Sequence, residues 1–512
     1  MIRKRIALFF AVLTSSILLS QDLEVPKKQT QLGFGKIDYL SIEMPGNEAN
    51  MGFTGIHYNI MATNWGAYAG VGIYGAISGI RGGFFTLGVN AGIKEYLSDR
   101  FFTDLGFHFG GGGGAGAPDG GGAFILPHVN LGYDFKDFSV QAGWSYVNFF
   151  DGGAIKGNQF NVGIEVPMNF DHASYEDREK EFSTTAMKSS GWNQKTKQTS
   201  LLFHLNNLKV QGNTQPSSYQ GRTIRLAGFE LAQFFTDNWF GFVKVDGAYH
   251  GIKAGYMDVF LGGGYRYSFN QNRTNLLAKF AVGAGGGGGI DTKGGFLIQP
   301  DISIEQKVFG DFFLALNKGY VINPDRSVNT SSYGFGLKYY VERNGTYSEN
   351  ASFDNIIFKG VELIVKHDLY LDATRDSNPT EDLHQISLQV NLDISKHLYA
   401  AGQTSFATLG NAGAYAEGIV GLGLRSNSFI KSSTRLFAQV LGGAAGGGNI
   451  STGEGFIVKP SVGITTKLSD KLNLRAAGGY VKASGGNLSS TLLNVGLSYN
   501  ISVAKSCNRL EN

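Results

Sequence analysis

One 18-residue stretch occurs three times in this chain, and that repetition limits the available folds more than any other feature. Residues 110–127 read GGGGGAGAPDGGGAFILP, residues 283–300 read GAGGGGGIDTKGGFLIQP, and residues 443–460 read GAAGGGNISTGEGFIVKP. They align without gaps and close on Pro127, Pro300 and Pro460. The register continues on both sides. Asn64-Trp65, Asn238-Trp239 and His397-Leu398 lie 61 or 62 residues before the proline, and Gly163, Gly336 and Gly496 each lie 36 residues after it. A unit of roughly 150 residues is too long for a solenoid or propeller repeat of 20 to 50 residues, so each copy has room for several elements.

Those elements read as strands. In the last segment of copy three, Val495, Leu497, Tyr499, Ile501 and Val503 alternate with Asn494, Gly496, Ser498, Asn500 and Ser502. Copies one and two alternate in the same way over residues 158–168 and 334–341. Successive side chains of a strand point to opposite faces, so one face is apolar and the other polar or tiny. Residues 85–94 (FTLGVNAGIK) keep the pattern for ten positions. That is the length a barrel strand needs to cross a membrane, ~9–11 residues, and longer than the ~5–6 of a soluble sandwich. Copy one parses into eight strands, at about 35–44, 52–62, 67–77, 84–95, 101–110, 123–135, 138–149 and 158–168. Short polar turns such as Lys136-Asp137 alternate with longer connections such as MPGNEAN and the glycine stretch. Outer-membrane barrels show this alternation, with the short turns periplasmic. Trp65, Trp239 and Tyr399 then fall at the periplasmic rim, and Tyr146, Tyr320 and Tyr480 toward the outer rim, as an aromatic girdle requires.

Composition agrees. Glycine supplies 74 of 512 residues, aromatics 13% and charged residues only 17%. The chain opens with Arg3, Lys4 and Arg5, then an apolar run from Ile6 to Leu19, which predicts a secretory signal peptide over residues 1–20. The totals are 44 basic and 41 acidic residues, and the signal holds three of the basic ones, so the remainder is balanced. Nothing there favours nucleic acid. Cys507 is the one cysteine, so no intrachain disulfide forms.

Gly496-Leu497-Ser498-Tyr499-Asn500-Ile501 resembles the C-terminal assembly signal of Gram-negative outer-membrane barrels, glycine-x-x-aromatic-x-hydrophobic. It departs from the pattern in that residues 504–512 follow it. The resemblance implies an outer-membrane β-barrel handled by the barrel-assembly machinery, with Gly496, Tyr499 and Ile501 in the signal.

The expected organisation is a signal peptide (1–20), a short periplasmic segment (21–34), β repeat one (35–168), a polar periplasmic linker (169–198), β repeat two (199–341), a short linker (342–353), β repeat three (354–503) and a tail (504–512). The fold class is all-β. Eight strands per copy can close alone, giving three tandem barrels, or together as one barrel of ~24 strands. Inward positions are often Gly, Ala, Ser or Asn, whereas small barrels usually carry larger interior side chains, so the single wide barrel is the favoured expectation.

The glycine stretch fails as a phosphate site. Lys293 is followed by Gly294, its counterparts are Gly120 and Gly453, and residues 296–309 alternate as a strand where a P-loop needs a helix. Asp119, Asp291 and Glu454 do not share the spacing of a calcium loop. His108 and His128 have no counterparts in the other copies, and no nucleophile–base set recurs. No enzymatic role, cofactor or metal is expected. Gly110, Asp119, Gly283, Asp291, Lys293, Gly443 and Glu454 are instead candidates for loops that line or constrict a lumen. About a dozen residues separate the signal from the first strand, too few for a plug. The resulting expectation is a passive, porin-like channel in the outer membrane, the alternative being a non-conducting structural or accessory subunit of an assembly, secretion or motility complex. Expected partners are outer-membrane lipid and lipopolysaccharide, the assembly machinery and an outer-membrane protein.

Overall fold

The computed structural model describes residues 25–212, 214–348, 353–430 and 433–508. The expected signal peptide, residues 1–20, lies outside them. A short strand β1 (Gln29–Gln31) precedes a first barrel of β2 (Gly33–Ile42), β3 (Met51–Met61), β4 (Ala67–Ser78), β5 (Phe85–Tyr96), β6 (Phe101–Gly113), β7 (Phe124–Asp134), β8 (Ser139–Phe149) and β9 (Lys156–Pro167). These ends fall within three residues of those the alternation predicts. Two short strands follow, β10 (Phe170–His172) and β11 (Glu181–Ser183). The second barrel is β12 (Lys197–Val210), β13 (Thr223–Phe234), β14 (Trp239–His250), β15 (Met257–Phe269), β16 (Thr274–Gly286), β17 (Phe296–Phe309), β18 (Phe312–Ile322) and β19 (Asn329–Arg343). The third is β20 (Phe353–Ala373), β21 (Glu381–Asp393), β22 (Leu398–Leu409), β23 (Ala416–Arg425), β24 (Thr434–Gly446), β25 (Phe456–Lys467), β26 (Leu472–Ser484) and β27 (Ser489–Asn508).

Each repeat closes on itself. β9 pairs with β2, β19 with β12, and β27 with β20, all antiparallel. The single wide barrel is therefore replaced by three eight-stranded ones. The small inward residues are matched to large ones rather than lining open space. A Cβ on Gly72 would come 1.9 Å from His57 Nδ1, one on Gly228 1.8 Å from Asp246 Oδ1, and one on Gly423 2.1 Å from the Tyr399 ring. Glycine is the notch into which a neighbouring strand's side chain lies, and a narrow barrel fills this way.

The outward faces are apolar. On the second barrel, Leu316, Phe335, Leu205 and Ala227 form one rung across four strands, and Leu314, Leu337, Phe203 and Phe229 form the next. Such a belt, on barrels with no free sheet edge, suits lipid and not water. Trp65 and Trp239 stand 61% and 59% exposed at the short-turn end. Tyr399 does not join them. It is 1% exposed inside the third barrel, and Leu398 takes the outward place. Its hydroxyl donates to Gln439 Oε1 at 3.1 Å, an acceptor the lipid face lacks.

The segment 169–198 is a folded cap and not a solvated linker. β10 pairs with β1, and β11 pairs with the first residues of β20. Ala173, Phe182, Met187 and Trp192 bury with Ile356, Phe358 and Ala504, and the Trp192 indole donates to Pro26 O at 2.8 Å. This cluster gives β27 a reason to continue to Asn508, past the expected end at 503, because Ala504 and Ser506 pair with Phe358 and Ile356 there. Gly496, Tyr499 and Ile501 lie on that strand opposite Lys366, Leu363 and Val361.

Candidate functional site

The chemistry of the molecule lies inside the barrels, where charged side chains interlock. In the first, Asp104 accepts from Tyr68 at 2.7 Å, meets His128 at 3.1 Å and lies 3.5 Å from Lys36. Asp38 meets His57 at 3.2 Å and accepts from Tyr74 at 3.0 Å, while His108 pairs with Asn90 at 2.6 Å. In the second, Lys338 reaches Glu305 at 2.8 Å, Lys279 reaches Glu230 at 2.8 Å, and Lys244 reaches Asp246 at 2.7 Å. In the third, Lys459 bridges Asp368 at 2.8 Å and Glu417 at 2.7 Å, and Gln403 donates to both. These are buried charges, and each is held by at least one counter-charge. The space left is small. An internal void in the second barrel is about 20 Å³, lined by His204, Asn206, Lys244, Asp301 and Ser303 among others. That is room for one or two water molecules.

Sequence reasoning passed over this interior. A signal was present: Lys36-x-Asp38, Lys244-x-Asp246 and Lys366-x-Asp368 put a lysine and an aspartate on one face of a strand in all three repeats. Tyr175 was equally hidden. It sits in the cap, but its hydroxyl donates to Glu362 at 2.7 Å and is bonded to Arg425, so it closes the short-turn mouth of the third barrel. Arg178 stacks on its ring at 4.7 Å.

The glycine stretches do not converge on a shared lumen, since no shared lumen exists. Gly110, Gly283 and Gly443 face the interiors of their own barrels, where a Cβ would come 2.1, 2.0 and 2.4 Å from the neighbouring strand's carbonyl oxygens. The turns that follow build three seams between barrels. Gly82 N–H donates to Lys293 O at 2.8 Å across the first seam. In the second, a Cβ on Gly446 would come 2.6 Å from Gly255 N. In the third, Ala123 N–H donates to Thr408 O at 2.7 Å and Gly413 N–H to Gly120 O at 3.2 Å. Each barrel offers the turn after its third strand to the glycine turn of the next, a head-to-tail contact that closes after three steps. Between them, Phe85, Leu87, Val259, Ala284, Ile386 and Phe406 form an apolar cluster with contributions from all three barrels. Lys293 and Asp291 pair with each other at 2.8 Å on the surface, and Glu454 pairs with His250 across the second seam.

Asp119 is the titratable group of this region. Gly114 N–H donates to its Oδ2 at 2.7 Å, and burial lifts its carboxyl to about 6. The folded state therefore holds this proton more tightly than the unfolded chain does. Between pH 4 and 6 stability falls as pH rises, and above pH 6 the full penalty, about 3 kcal/mol, is present. Asp119→Asn should raise the melting temperature at pH 8 relative to wild type and leave it nearly unchanged at pH 4. An equal shift at both values would exclude this titration.

No family model matches the chain, and no curated relative does. Among solved structures, the chain is similar to the ferric enterobactin receptor of Pseudomonas aeruginosa at 10% identity and a TM-score of 0.28, over 91% of this chain and 80% of that one. It is similar to the outer membrane protein opdK of Pseudomonas aeruginosa at 10% identity and a TM-score of 0.22, over 93% and 99%. It is similar to the Yersinia pestis outer membrane protein Ail at 12% identity and a TM-score of 0.20, over 29% and 99%. Likenesses this distant carry no argument about activity or ligand. The closed antiparallel barrels, their apolar outer belts and the exposed tryptophans at the short-turn end make this chain an integral outer-membrane β-barrel protein.

Proposed function

We propose that the protein is a non-conducting structural subunit, a triple-barrel platform that holds a broad patch of outer membrane and presents its cap to the periplasm. The observation that carries this reading is the filled interior. Lys338, Asp368, Lys459 and Glu417 are all at most 3% exposed and each is held by an opposite charge, so opening a path would separate buried ion pairs. On this reading the His57–Asp38 and His128–Asp104 pairs orient one another and serve no substrate, because the closed interior admits none. The folded cap, with its own apolar core, is the natural contact for a partner in the periplasm.

A channel is the second reading, favoured by one feature. The 20 Å³ void in the second barrel is lined by Asn206 and Ser303, whose side-chain polar atoms have no partner. Such a path would pass water or protons at most. Planar-bilayer recording of the folded full-length protein separates the two. The expected result is no unitary conductance above the bare membrane; steps of porin size would overturn the platform reading.

A further inference from the structure

The outer rim of the second barrel breaks the threefold pattern in one place. Directly above its apolar belt, one rung runs Lys318, Tyr333, Asn207 and Arg225 across the adjacent strands β18, β19, β12 and β13. The next rung outward brings Tyr320, Ser331, Lys209 and Thr223. Lys209, Arg225 and Lys318 all point away from the barrel and are exposed. Among the described residues none of the three forms an ion pair, and Lys318 meets only the Tyr333 ring, at 5.7 Å. Arg225 stands opposite His250, which is already paired with Glu454 of the third barrel.

The equivalent rung carries no lysine or arginine elsewhere. On the first barrel it pairs Trp144 with Phe160, and on the third it runs Gly478, Leu493, Leu369 and His384. Three cations without counter-ions, grouped on neighbouring strands of a lipid-facing wall, offer a site to an anion of the lipid. Neighbouring strands are ~4.8 Å apart, so Lys209 and Arg225, on adjacent strands one rung apart, are ~7–8 Å from each other and can share one phosphate. Arginine and lysine stems extend along an apolar wall with the charge at headgroup level. Tyr320 and Tyr333 are the amphipathic rings expected at that depth.

We propose that this rung binds the phosphate groups of an outer-leaflet glycolipid, with the acyl chains lying against the Leu316–Phe335–Leu205 rung beneath. The phosphate fixes the lipid through Lys209 and Arg225, and Lys318 engages a second phosphate or a neighbouring lipid. The second barrel then anchors the platform in a set orientation toward lipopolysaccharide.

The test uses the full-length protein in detergent micelles, with bisphosphorylated lipid A, dephosphorylated lipid A and inorganic phosphate as probes. Binding is read by native mass spectrometry. Bisphosphorylated lipid A should bind the wild type, and K209Q/R225Q/K318Q should weaken it at least tenfold. K156Q/K482Q, at the outer ends of the other barrels, should leave it unchanged. Heat-modifiable gel migration reports that each variant is folded. Equal binding to the triple variant, or equal binding of dephosphorylated lipid A, overturns the proposal. Displacement of bound lipid A by inorganic phosphate at millimolar concentration would assign the rung to free anions and overturn the lipid assignment.

Discussion

Lys459→Met is expected to destabilise the third barrel by about 3–5 kcal/mol, the cost of leaving buried carboxylates without their cation. Lys459 lies between Asp368 and Glu417 at 2.8 and 2.7 Å, and all three are at most 3% exposed. Methionine fills the volume of the lysine stem, so lost packing contributes little. The two carboxylates keep other donors: Ser387 and Gln403 for Asp368, Tyr370 and Ser405 for Glu417. Those are neutral hydrogen bonds, and they do not offset two adjacent negative charges in a dry interior. Lys366 is 3.4 Å from Asp368 and relieves that one in part. The double variant Lys459→Met with Glu417→Gln should recover at least a third of the loss, since it removes one of the stranded charges. Amide exchange of β25, which carries Lys459, gives the measurement, because it reports the third barrel separately from the other two. An effect under 1 kcal/mol would mean that water already reaches this cluster.

Much of this architecture was legible in the sequence, and the limit of legibility has a physical cause. Period-two alternation and turn length located the strands of the first repeat closely, because both are local properties of a barrel strand. Closure is not local. Whether β9 returns to β2 or continues to β12 depends on how interior volume is filled, and composition read position by position misjudged that volume. Small inward residues read as the lining of a wide lumen, yet Gly72 and Gly228 are notches for a side chain on a neighbouring strand, His57 or Asp246. Tyr399 was misplaced for a related reason: a one-residue offset against Trp65 and Trp239 carries a strand residue to the opposite face. The cap was unreadable as a fold because its apolar core draws on four separated stretches of chain, from Val25 to Ala504. The contacts of the glycine stretches lie in other repeats, which no local pattern encodes.

Gly83→Asn should open the first seam while leaving the three barrels folded, with a loss of about 2–3 kcal/mol in the seam's own stability. Gly83 has φ +93, and Asn is among the few residues that tolerate this region, so backbone strain is not the main cost. The contact is. A Cβ there would come 2.4 Å from Gly287 N and 2.6 Å from Gly286 C, both backbone atoms of the second barrel's glycine turn, and neither can step aside as a flexible side chain would. Gly46→Asn is the matched control, with φ +78 and nothing within 4 Å of its Cβ, and should cost a few tenths of a kcal/mol. The Gly82 amide, which donates to Lys293 O across this seam, should exchange roughly 30- to 150-fold faster in the Gly83 variant. The Ala123 amide, which crosses the third seam to Thr408 O, reports on the ring. If the seams are independent its exchange is unchanged, because two intact contacts still hold three barrels together. If it accelerates as well, the three seams open as one cooperative unit, and the glycine turns are parts of a single ring closure instead of three separate joints.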